Sequence, residues 1–131
     1  ERRALEEQAR ASGCAGRIRF AGFLEPEKID SIYALADIFV LPSHETWGVV
    51  VLEALAAGLQ VLISNRVGCH ADVRDRARVF EFGNVDALAS ALTDACGKRV
   101  QPGVDRNLPI DWTFEELAER LCNWTRERIR E

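Results

Sequence analysis

Two short apolar runs, Asp37–Leu41 (DIFVL) and Gln60–Ser64 (QVLIS), flank an apolar stretch of helical length, Gly48–Ala57, that stops at Gly58. This arrangement constrains the fold more than any other feature of the chain. The two runs are short and rich in β-branched residues, so each reads as a strand. Nearly continuous apolar strands alternating with helices belong in a parallel sheet covered on both faces. The flanking sequence keeps the alternation. Glu1–Ser12 reads as a helix stopped by Gly13, and Arg17–Ala21 (RIRFA) as a short alternating strand. Pro26 suits the first turn of a helix to about Leu35, Arg78–Phe82 reads as a strand, and Asn84 can cap a helix to about Cys96. Residues 98–110 read as a loop, and Thr113 with Glu116 forms a capping box for a last helix over 113–130. The expected fold class is α/β, a parallel sheet with helices on both faces, as a single domain over residues 1–131.

Composition narrows the partners. The 131 residues are 47% apolar and 29% charged, the balance of a globular domain large enough to bury a core. A net charge of −4 argues against a nucleic-acid partner, but a few backbone N–H groups can still hold a small phosphate. No apolar run approaches a membrane span, and no charged-then-apolar segment that would read as a secretion signal is visible in these residues. The chain opens on Glu1 and contains no Met, so it is expected to be a piece of a longer chain. Cys14, Cys69, Cys96 and Cys122 are widely spaced, which predicts reduced structural thiols in a cytoplasmic protein. No cluster at metal-ligand spacing is present, and no metal is predicted.

In an open parallel sheet, ligands bind beyond the carboxyl ends of the strands. Three loops leave such ends: Gly22–Leu24, Pro42–Gly48 and Asn65–His70. The second runs directly into a helix, whose free N–H groups and partial positive charge suit phosphate. Gly48 lets backbone approach a ligand, and the N–H groups of Gly48, Val49 and Val50 are candidates to face it. The helix GVVVLEALAAG is apolar except at Glu53, so Glu53 is expected to be buried and to need a partner. That partner is an arginine, backbone donors, or ligand hydroxyls such as those of a ribose. Glu45 is a solvated loop acid or a ligand contact. Trp47 is a pocket wall or core, and His44 is a base, a donor or structural.

The stretch DIFVLPSHETWGVVVLEALAAGLQVLIS resembles the donor-site signature of glycosyltransferase family 4, retaining enzymes built from two Rossmann-like domains. The hallmark is Glu, seven residues, Glu, then a small-residue helix, Gly and a strand; Glu45 and Glu53 match it. RIRFAGFLEPEKIDSIYALAD, NRVGCHADV, FGNVDALASAL and WTFEELAERL resemble neighbouring elements of the same family. The resemblance implies a truncated, C-terminal, nucleotide-sugar-binding part of a GT-B-type transferase, moving a sugar from a nucleotide diphosphate to an acceptor hydroxyl with retention. It implies that Glu45 reaches the donor sugar near the reacting carbon and that Glu53 holds the ribose. It implies further that Gly48, Val49 and Val50 offer N–H groups to the diphosphate and that Leu24 contacts the base. Gly68, Cys69 and His70 would lie across the cleft, near the sugar or acceptor. No cofactor is implied beyond the donor itself, and Glu45 and Glu53 are not an acid–base pair.

Three positions depart from the family. Cys69 stands where many relatives have a second glycine, Asp72 where many have Glu, and Gln60 where many have Pro. The resemblance also implies two further strands, a basic Arg/Lys pair and an acceptor domain ahead of Glu1. Without them Arg17–Ala21 is expected to pair with Asp37–Leu41, or the gap is filled by a second chain and the fragment dimerises. The fragment alone is expected to be inactive. The acceptor, a glycan or a lipid-linked group, is not legible. Alternating Arg126, Arg128 and Arg130 fit a solvated helix face better than a contact at the inner membrane face, because Glu127 and Glu131 interrupt them. The rival readings are a nucleotide-sugar epimerase of the same architecture and a non-catalytic sugar-nucleotide-binding domain. A dehydrogenase is disfavoured because no G-x-G-x-x-G follows a strand.

Overall fold

Strand β2 (Gln60–Ser64) sits in the middle of a parallel sheet ordered β1-β2-β3, between β1 (Ile38–Leu41) and β3 (Ala77–Phe80). The structure is a computed structural model, and it describes residues 2–97. The loop expected at 98–110 and the helix expected at 113–130 lie outside the described residues. The chain divides into two units, residues 1–32 and residues from Tyr33 onward.

The second unit holds the sheet. Ile38 is in register with Gln60 and Leu41 with Ile63, while Val61 pairs with Ala77 and Ser64 with Phe80. Side chains alternate across β2, so its two faces feed two cores. On one face Val61 and Ile63 pack with Val51, Ala54 and Leu55 of α3 (Val49–Ala56), together with Trp47, Val67 and Cys69. On the other face Leu62 packs with Phe80 and with Ala91 and Ala95 of α4 (Val85–Gly97). Helices thus cover both faces of a parallel sheet, as the apolar strands require.

Helix α3 ends as its sequence indicates. Gly58 adopts φ 79°, its N–H donates to the Leu55 carbonyl at 3.0 Å, and the Leu59 N–H reaches back to Ala54 at 3.1 Å. That pair of bonds is a Schellman motif, with buried Leu59 closing it. Helix α4 is capped by Asn84, whose Oδ1 accepts the Ala87 N–H at 2.9 Å.

The first unit contains α1 (Arg2–Ala11), a 3-10 turn at Ala15–Arg17, and most of α2 (Pro26–Leu35). The strand expected at Arg17–Ala21 is not formed: among the described residues the sheet has three strands, and this segment is not one of them. The polar–apolar alternation suits a strand, but a strand exists only with a ladder partner, and β1 makes its ladder with β2 alone. Strand β3 also stops earlier than expected, because the Phe82 N–H turns to the Asn65 side chain at 2.9 Å.

Candidate functional site

Beyond the carboxyl ends of β1 and β2, two loops remain paired. Glu45 and Val67 form an isolated parallel bridge. The Glu45 N–H donates to the Arg66 carbonyl at 3.3 Å, the Gly68 N–H to Glu45 at 3.0 Å, and the Cys69 N–H to Trp47 at 2.9 Å. These bonds extend a parallel pattern past the strands and hold residues 45–47 against residues 66–69. The approach is tight: a Cβ on Gly68 would fall on the Thr46 carbonyl and within 3.0 Å of the Trp47 Cα.

The first loop delivers Gly48 to the start of α3. Gly48 is left-handed, at φ 92° and ψ 53°. Its missing side chain leaves room for Val67, whose Cγ1 would lie 2.6 Å from a Cβ there. The Val51 N–H turns back to the Gly48 carbonyl at 2.9 Å. The N–H groups of Val49 and Val50 precede it in the first turn and have no acceptor within the helix. Val49 and Val50 are 46% and 39% exposed, so this helix start opens to solvent rather than to core.

Glu45 is exposed, and its Oε1 accepts the Ser43 hydroxyl at 2.9 Å. Glu53 is exposed as well, which corrects the expectation of a buried carboxylate. The reason is the direction α3 faces: Val51, Ala54 and Leu55 turn to the sheet, while Val49, Val50, Glu53 and Ala56 turn outward. Burial therefore imposes no cost that a ligand must offset. The Tyr33 hydroxyl donates to Glu53 Oε2 at 3.1 Å, and the Tyr33 ring meets Phe39 edge-on at 6.1 Å. Glu45, Glu53, Val49 and Val50 thus all belong to the loop and helix that leave β1.

The remaining candidates divide by burial. His44 is exposed. Trp47 and Cys69 are buried in the core beneath the loops, and burial pushes the Cys69 thiol up from 9.0 to about 11. Gly68 is the close-approach residue of the second loop. His70 is half-buried, and its Nδ1 donates to the Val67 carbonyl at 2.8 Å. Leu24 lies in the first unit, partly buried, just ahead of α2. Among the described residues no group of three or more His, Cys, Asp or Glu is placed to hold a metal.

Sequence reasoning missed Tyr33, Ser43 and Ser64. Ser64 is the sharpest case. Among the described residues it is the one buried polar side chain, and its hydroxyl donates to the Ser43 carbonyl at 2.6 Å. A polar residue closing an otherwise apolar strand, at the end where ligands bind, was the available signal.

Residues 1–101 match the family of glycosyl transferases group 1. The chain belongs to this family. It is 36% identical over 78 residues to O-antigen chain mannosyltransferase B of Escherichia coli, covering 59% of this chain and 20% of that protein. It is 28% identical over 137 residues to a GDP-mannose-dependent alpha-(1-6)-phosphatidylinositol monomannoside mannosyltransferase of Mycobacterium tuberculosis, covering 93% and 36%. It is 38% identical over 97 residues to D-inositol 3-phosphate glycosyltransferase of Corynebacterium urealyticum, covering 69% and 23%. The group 1 chain thus spans between 20% and 36% of these relatives' length. Among its described residues no helix is long and apolar enough to cross a membrane.

Proposed function

We propose that this group 1 domain is the donor-binding part of a family 4 glycosyltransferase that moves a sugar from a nucleotide diphosphate sugar to an acceptor hydroxyl with retention. The observation that carries the reading is the open start of α3. The N–H groups of Val49 and Val50, the left-handed Gly48 and the exposed carboxylates of Glu45 and Glu53 all lie along one loop and helix. The leaving group in such a transfer is an anionic diphosphate, and preorganised N–H groups stabilise it without reorganisation. Under this proposal Glu45 contacts the donor sugar and Glu53 the ribose, with Tyr33 orienting it. Leu24 contacts the base. His44, Gly68 and His70 border the sugar or acceptor, while buried Trp47 and Cys69 support the loops from below. The donor is the only small molecule required, and no metal takes part.

We propose further that the complete enzyme carries a preceding acceptor domain and the rest of this sheet. It would act in the cytoplasm or at the inner membrane face on a glycan or lipid-linked acceptor, and the 131 residues alone would be inactive. Calorimetric titration of the complete polypeptide with a panel of nucleotide diphosphate sugars tests the reading. One donor should bind, and Glu53→Ala should lose about 1.5–3 kcal/mol of that affinity. A folded polypeptide that binds no donor would be a non-catalytic relative. One that binds a donor and inverts its sugar without using an acceptor would be an epimerase.

A further inference from the structure

Ser64 occupies the last position of β2, where the two loops diverge from the sheet. Its side chain is fully buried, and its hydroxyl is used in both directions. The hydroxyl donates to the Ser43 carbonyl at 2.6 Å and accepts the Arg66 N–H at 3.1 Å. Ser43 belongs to the loop after β1, and Arg66 to the loop after β2. The Arg66 carbonyl in turn accepts the Glu45 N–H at 3.3 Å, and the Ser43 hydroxyl donates to the Glu45 carboxylate at 2.9 Å. One buried oxygen therefore fixes the backbone on both sides of Glu45's two restraints.

We infer that Ser64 is a positioning residue for the proposed donor site: its hydroxyl clamps the two loops together and, through Ser43 and Arg66, sets the placement of Glu45. The inference rests on the donor-site reading for its catalytic consequence, but not for the clamp itself. Backbone alone does not explain the arrangement. The loops have left the regular ladder at residues 42–44, and the Ser43 carbonyl would lack this donor without the hydroxyl. Ser43 is half-buried, and a carbonyl partly shielded from water that loses its donor gives up the net contribution of that hydrogen bond and part of its solvation. Alanine at position 64 would thus loosen the loops while leaving the apolar core of β2 intact.

Amide hydrogen exchange on the complete polypeptide reads the clamp directly. In the unmodified chain the Arg66 and Glu45 amides should be protected. In Ser64→Ala they should exchange roughly fivefold or more faster, with Leu62 and Ile63 of β2 unchanged. Ser43→Ala keeps the carbonyl that Ser64 uses, so Arg66 exchange should stay as in the unmodified chain. In the complete polypeptide, Ser64→Ala should lower kcat roughly tenfold through misplacement of Glu45. If the complete unmodified polypeptide binds no nucleotide diphosphate sugar, the donor-site reading fails, and exchange alone decides the clamp. If Ser64→Ala does not fold, the Arg66 amide of the unmodified chain decides. Free exchange there, or acceleration in Ser64→Ala that is equal in the loops and at Leu62 and Ile63, overturns the inference.

Discussion

Gly68 lies against the backbone of Thr46 so closely that any side chain at position 68 would occupy the space of the Thr46 carbonyl. The contact is backbone to backbone, so no rotamer change can relieve it. The loop that starts α3 and the loop that follows β2 are thus packed backbone against backbone, and hydrogen bonds from Gly68 to Glu45 and from Cys69 to Trp47 join them.

Gly68→Ala should therefore destabilise the chain by at least about 1–3 kcal/mol, the usual cost of overpacking a closed site. Gly16→Ala is the control, because a Cβ there meets nothing within 4 Å and needs no left-handed backbone. It should stay within about 0.5 kcal/mol. Urea unfolding of both variants beside the unmodified chain checks the pair. Equal midpoints would mean that the loops can separate freely.

Gly48 and Val67 should behave as a coupled pair. Gly48→Ala must hold a left-handed residue, at roughly 1–2 kcal/mol, and must also meet Val67 Cγ1 at 2.6 Å. In a Val67→Ala background the second cost disappears and the first remains. A double-mutant cycle by urea unfolding should thus return a coupling of about 0.5–3 kcal/mol, with the Gly48 substitution milder in the second background. A coupling near zero would show that Val67 adds nothing to the cost, leaving φ and the Val51 contact at 3.3 Å to account for it.

Much of this framework was legible because it is local. The bounds of β2, the helix α3 and its stop at Gly58 follow from an apolar run, small residues and one glycine. Asn84 was readable as a cap because capping uses residues three positions apart. What escaped depends on partners distant in sequence. RIRFA has the pattern of a strand, but a pattern does not supply a ladder partner. Glu53 looked buried because its helix is apolar all round, whereas the direction α3 faces decides which side is covered. The clamp by Ser64 and the contact of Gly68 with Thr46 join loops about twenty residues apart in sequence. Residue types and spacing thus marked where a site should be, and tertiary placement decided how its loops are held.

Asn84→Ala should cost about 1 kcal/mol, since it removes the acceptor for the Ala87 N–H at the start of α4. The same side chain donates to Glu81 Oε2 at 2.9 Å, an exposed contact that adds little. Asn84→Ser keeps a capping oxygen and should recover most of the loss. Thermal unfolding followed at 222 nm distinguishes the two variants, and a serine no better than alanine would assign the effect to Glu81 instead.

Cys69 should make stability fall in alkaline solution. Its thiol is raised by burial from 9.0 to about 11, so between these values the unfolded chain has lost a proton that the folded chain keeps. The unfolded state then binds fewer protons, and stability declines as pH rises, by at most about 1.4 kcal/mol per pH unit from this group. Below pH 9 the contribution is complete and flat. Cys69→Ala abolishes the titrating group, so the difference between its unfolding curve and that of the unmodified chain isolates the effect from other alkaline groups. The difference should be constant from pH 7 to 8.5 and should narrow toward pH 11, because only the unmodified chain loses this contribution. In the same range a thiol reagent should modify exposed Cys96 well before Cys69, whose sulfur is both neutral and enclosed. A difference that stays constant across the whole range would place the Cys69 sulfur in contact with water.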